Sequence, residues 1–131
     1  MTLPTLEQML AASVALLIVQ IFVQAHAFTK EKGSAWNAGP RDGGNDATGV
    51  FAGRVKRALD NYKETWPAFA ALALALMVTG HTNGLGAGAA LAWLTARLVY
   101  IPLYYAGIPY ARSLVWLVSV AALVAMIVAL F

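Results

Sequence analysis

Arg54, Arg57, Asn61 and Glu64 follow one another at intervals of three, four and three residues within the segment Arg54–Pro67. At about 100° per helical residue they share an arc of about 80°, a single stripe of one helix. Lys56, Asp60 and Lys63 fall on a different face. Two guanidiniums, an amide and a carboxylate in one line can hold a small zwitterion or anion, because arginine forks match carboxylates and a carboxylate matches an ammonium. A second set follows at Arg97, Tyr100 and Tyr104, again i, i+3 and i+7, with Arg112 and Ser113 just beyond. An arginine near a helix N-terminus opposes the macrodipole, so Arg112 reads either as the partner of an anion or as a cation snorkelling to headgroups. The tyrosines read either as ligands or as an interfacial aromatic belt. Arg97 at membrane depth would cost about 2.5–3.5 kcal/mol, so it is expected to face inward and pair, with Glu64 as its partner. Arg57, Glu64 and Arg97 could equally form a purely structural ion-pair network.

The elements that must position these groups are apolar. Of 131 residues, 60% are hydrophobic and 11% charged, against about 25% charged in soluble domains, and the mean hydropathy is +0.67. This is the composition of an integral membrane protein, and the length allows one domain, residues 1–131. With no cysteine, disulfides and cysteine-bound metal are excluded, and no metal site is expected. No basic residue precedes the first apolar run, so a cleaved signal peptide is not expected. Residues 8–29 carry no charge, enough to cross a hydrocarbon core of about 30 Å. The first helix is placed at about 5–29, after Pro4 and Thr5. Gln20, Gln24 and His26 near its end read as interhelical hydrogen-bonding groups or as the lining of a polar cleft.

Residues 30–50 are expected to form a long solvent-side loop, rich in turn formers from Asn37 to Asp46, with Trp36 as an interfacial anchor. The second helix spans about 51–79, charged in its first half and apolar in its second, and Pro67 is expected to bend it. A polar turn, Thr79–Gly84, leads to a third helix at about 85–106, whose Gly84, Gly86, Gly88 and alanines permit close approach. Gly107-Ile108-Pro109 turns the chain into a fourth helix at about 109–130. The architecture expected is therefore an all-α bundle of four transmembrane helices. All nine Lys and Arg residues lie in or near the connections after the first and third helices, while the opposite side carries only Glu7. The positive-inside rule places both basic connections in the cytoplasm and both termini outside. It also brings the two polar sets to one end of the bundle.

The run Arg54-Val-Lys-Arg57-Ala58-Leu-Asp-Asn61-Tyr-Lys-Glu64-Thr-Trp-Pro67-Ala-Phe69 resembles the signature of the MAPEG family, membrane-associated proteins in eicosanoid and glutathione metabolism. Arg97-Leu-Val-Tyr100-Ile-Pro-Leu-Tyr104 and the later Arg112-Ser113 are similar to its second conserved block. The resemblance implies a homotrimer of four-helix subunits with glutathione in a cytoplasm-facing cleft between neighbours. It implies that Arg57, Asn61, Glu64, Tyr100 and Tyr104 hold glutathione, that Arg54 assists and Arg97 supports, and that Arg112 faces the thiol as the catalytic group. A guanidinium there would favour the nucleophilic thiolate over a thiol whose free pKa is about 8.5. The sequence departs from the pattern late in the first helix, where His26 and Lys30 stand without an arginine, and at Gly53, where glutamate is common. These departures disfavour a specific eicosanoid reaction and make bacterial members, in the inner membrane, the nearer comparison.

The function expected is a glutathione-dependent membrane transferase or peroxidase acting on lipophilic electrophiles that arrive from the bilayer. Its partners would be its own copies, membrane lipids and a lipophilic substrate, with no nucleic acid. The alternative is a non-catalytic membrane scaffold on the same fold that binds a lipid or partner protein. A small proton-coupled carrier ranks last, because it would want a carboxylate deep in the bilayer, whereas Glu7 is terminal and Glu64 near the interface.

Overall fold

A computed structural model describes residues 2–44 and 49–131. Among these residues the chain forms four long helices and one short one: α1 (Leu6–Lys32), α2 (Ser34–Ala38), α3 (Val50–Val78), α4 (Leu85–Ala106) and α5 (Pro109–Val128). Asn45 and Asp46, part of the expected turn-rich loop, lie outside the described residues. Three helices, α1, α4 and α5, are long and apolar enough to cross a bilayer. The charged first half of α3 sets that helix apart.

Each boundary has a local cause. Thr5 begins α1 with a capping box: Gln8 N donates to Thr5 Oγ1 at 3.3 Å and Thr5 N donates to Gln8 Oε1 at 3.0 Å. The helix continues three residues beyond the expected end and stops at Gly33, whose φ is 91°. The stretch that follows, whose turn-rich composition predicts only loop, instead contains α2. Five residues are too few to show a helical period, and an isolated helix of that length is unstable. α2 is held from outside, by Trp36 stacked on Phe28 of α1 with ring centroids 6.0 Å apart and 19° between planes. The loop is also tied at its far end, where Gly49 N donates to Glu31 Oε1 at 2.7 Å.

α3 runs unbroken through Pro67. It ends in a Schellman-type turn, with His81 N donating to Leu76 O at 2.9 Å and Gly80 at φ 77°. α4 ends the same way: Ile108 N donates to Leu103 O at 3.0 Å and Gly107 takes φ 75°. Pro109 then starts α5, where its missing N–H has no cost.

α3 and α4 form the centre, α1 packing mainly on α3 and α5 mainly on α4. The core is built on Trp93 of α4, stacked on Phe69 with centroids 4.0 Å apart and tilted against Tyr62 at 5.7 Å. Leu6, Met9, Leu76, Ala90 and Met126 close around it. Tyr62 Oη donates to Ser13 O at 2.6 Å and Trp66 Nε1 to Ser13 Oγ at 3.0 Å, fastening α3 to α1 where apolar surface alone supplies little force between helices in lipid. Gly86 serves the turn between α3 and α4, since a Cβ there would lie 3.0 Å from Leu76 Cδ2 and His81 O. Large apolar side chains such as Phe22, Val78, Leu114 and Val118 point outward, as on a lipid-facing surface.

Candidate functional site

The stripe on α3 meets the end of α4 and the start of α5 around one cavity of about 410 Å³. Arg57, Asn61 and Glu64 line it from α3, Tyr100 and Tyr104 from α4, and Arg112 from the first turn of α5. Spacing explains each contribution. Arg57, Asn61 and Glu64 are a turn apart on one face, as are Tyr100 and Tyr104. The Gly107–Pro109 turn folds α5 back so that Arg112 overlies Tyr104, its guanidinium carbon 4.6 Å from the ring centroid. Arg57 Nε donates to Tyr104 Oη at 3.3 Å, so two cations from different helices are held on one phenol. Tyr100 and Tyr104 support each other with centroids 5.5 Å apart. Gly53, one of the departures noted in the sequence, belongs to this arrangement: a Cβ there would lie 3.1 Å from Arg57 Nη1.

Two of the eight candidate residues stand elsewhere. Arg54 turns from the main cavity toward the end of α4, where its Nη1 donates to Tyr105 O at 3.3 Å. It helps line a smaller hollow of about 200 Å³ with Arg57, Tyr104 and Arg112. A guanidinium there complements the negative end of α4. Arg97 lies behind the cavity wall, fully buried, and no ion pair joins it to Glu64, contrary to expectation. Its guanidinium carbon sits 4.5 Å from the Tyr100 ring centroid and 5.3 Å from that of Tyr62, and its nitrogens have no hydrogen-bond partner among the described residues. The physical reason is direction. Glu64 is exposed on the cavity wall, beyond ion-pair distance, while Arg97 packs between two aromatic faces that stabilise the cation at close range.

Three wall residues escaped the sequence reading as ligand candidates: Asp60, Ser113 and Trp116. Asp60 was grouped with the lysines, and it does bind them, Lys56 Nζ at 2.7 Å and Lys63 Nζ at 3.4 Å. It lies only about 40° from Glu64 around the helix, close enough to reach the same cavity. Trp116 stands one turn after Arg112, a spacing that could have flagged it. Trp116 Nε1 and Asn61 Oδ1 find no partner among the described residues, so the wall holds one buried donor and one buried acceptor unpaired. Of the polar groups late in α1, Gln20 is buried and donates to Leu16 O at 3.3 Å, whereas Gln24 lines a separate cavity against α3. The walls of the main cavity thus carry two guanidiniums, two carboxylates, two phenols and an amide, a set suited to a small dipolar molecule with carboxylates and an ammonium.

No curated protein and no solved structure matches the chain. A comparison with protein families matches residues 9–131, nearly its whole length, to the MAPEG family. With the α3 stripe, the Tyr100–Tyr104 pair and Arg112 converging as they do, and with helices apolar enough to span a bilayer, the chain belongs to the MAPEG family.

Proposed function

We propose that this integral membrane protein is a glutathione-dependent transferase or peroxidase acting on lipophilic electrophiles. The supporting observation is the convergence of Arg57, Arg112, Glu64 and Asn61 with two tyrosines on one cavity of about 410 Å³, within the range of about 300–1,000 Å³ typical of small-molecule sites. The donor set fits glutathione. Arg57 would take a carboxylate, Glu64 the ammonium, and Asn61, Tyr100 and Tyr104 the peptide groups, while Arg54 and Arg97 act from behind. Glutathione supplies a thiol, and only its thiolate is a strong nucleophile. Arg112 would hold that negative charge, so activation needs no general base. A separate groove on another face of α4 and α5, lined by Leu91, Val99, Val115 and Val118, is apolar and could receive a lipophilic molecule from the bilayer.

The same reading covers the assembly: one domain of four membrane-spanning helices, α3 included, forming a homotrimer in a bacterial inner membrane with both termini outside the cytoplasm. Family membership and the gathering of every Lys and Arg at one end support it. The test is spectroscopic. Adding glutathione to purified protein should raise the near-ultraviolet thiolate absorbance, and Arg112→Ala should abolish the rise and lower turnover about 100-fold, in the range seen when an oxyanion-stabilising donor is removed. No rise and no calorimetric binding at millimolar glutathione would leave the non-catalytic scaffold as the function.

A further inference from the structure

A second cavity, of about 420 Å³, lies between α1, α2 and α3, on the neighbouring face of α3, and Asp60 lines both it and the Arg57 cavity. Its walls are divided by chemistry. Ile21, Ala25 and Phe28 of α1 line one part, and Arg41, Lys56 and Lys63 line another. Among the described residues Asp60 is the sole carboxylate on its wall, and it accepts from both lysines. Three cations against one carboxylate leave a net positive charge in the hollow. Trp36 stacks on Phe28, with Lys32 Nζ 4.7 Å and the Arg41 guanidinium carbon 5.1 Å from its ring centroid. Among the described residues Arg41 is the non-glycine residue with a positive φ, 58°, and its Nε and Nη2 donate back to Asn37 O at 3.2 and 3.0 Å.

The geometry points to a headgroup site for an anionic phospholipid in this hollow. A tryptophan flanked by cations, directly after the basic end of a membrane-crossing helix, lies at headgroup depth. The positive part would meet a phosphodiester. The apolar part includes Ile21, which is exposed as is its neighbour Phe22, and would lead the acyl chains into the bilayer. A zwitterionic headgroup brings its own cation into the positive region, so charge favours a lipid of net negative charge. A soluble phosphate ester would leave the apolar part uncovered.

The test uses the full chain in mixed micelles with equal amounts of dioleoyl phosphatidylglycerol and dioleoyl phosphatidylcholine, read by native mass spectrometry. The expected result is preferential retention of one phosphatidylglycerol per chain. Arg41→Gln and Lys63→Gln, both at exposed positions, should each reduce that preference about fivefold, the factor for one cation near an anionic surface. Equal retention of the two lipids by the unaltered protein would overturn the proposal, as would a preference that survives both substitutions together. Glycerol 1-phosphate competing as well as the lipid would overturn it in favour of a soluble ligand. A disulfide between copies carrying Asn37→Cys, in a chain with no other cysteine, would place a second subunit there instead. Arg41→Gln should leave glutathione binding unchanged, so failure here and failure of the glutathione reading are separately visible.

Discussion

Arg97 and Arg112 show how two similar residues acquire different tasks from their surroundings. Arg112 reaches the cavity through its stack on Tyr104, whereas Arg97 is enclosed between Tyr62 and Tyr100 with no carboxylate against it. Shape and charge should therefore separate on substitution. Arg97→Lys retains the charge but loses the planar face that stacks on both rings, and it should lower thermal stability in detergent while reducing glutathione affinity only through movement of Tyr100. Glu64→Gln removes a charge from the cavity wall without changing size. It should weaken glutathione binding by about tenfold or more, the loss expected of a charge-assisted hydrogen bond, with little change in melting temperature. Titration calorimetry and a thermal scan on the same preparations would check both. The stripe Arg57, Asn61, Glu64 was legible in the sequence because a helical period needs nothing but spacing. The role of Arg54 at the end of α4 was not legible, because its partner Tyr105 is 51 residues away and only packing brings them together.

At the scale of the helix, the Gly107 turn decides where Arg112 stands. Gly107 has φ 75°, and a Cβ there would lie 2.6 Å from the Arg54 guanidinium carbon. Gly107→Ala should destabilise the protein by about 1–3 kcal/mol through the left-handed backbone and the displaced guanidinium. It should also lower thiolate formation, since α5 would no longer leave α4 at the same angle. Denaturation in detergent and the absorbance assay would measure the two effects. The turn was visible as Gly-Ile-Pro, and the α4 boundaries were expected as found, because glycine and proline punctuate a chain locally. α2 was invisible for the opposite reason: what holds it is Trp36 against Phe28, a contact that no periodicity reports.

For the whole molecule, the fastening of α1 to α3 by Tyr62 and Ser13 and the one-sided charge lead to separate expectations. Tyr62→Phe removes a buried hydrogen bond between helices and should cost about 0.6–1.7 kcal/mol, the span measured for such bonds in membranes. A shift in the denaturation midpoint would show it. Because the chain contains no cysteine, single cysteines report orientation cleanly. Thr2→Cys should react with a membrane-impermeant maleimide in intact cells and Ser34→Cys should not; the reverse pattern would invert the proposed topology.

The amino-acid order by itself determined the four long helices, the basic end and the residues facing one stripe, since hydropathy, charge and period are properties of neighbours along the chain. Tertiary structure alone decided that Arg54 serves the end of α4 and that Arg97 rests between tyrosines, beyond ion-pair distance of Glu64. Those outcomes depend on how far each helix is rotated against the next, and that rotation is set by the packing of Trp93, Phe69 and Tyr62 at the centre of the bundle.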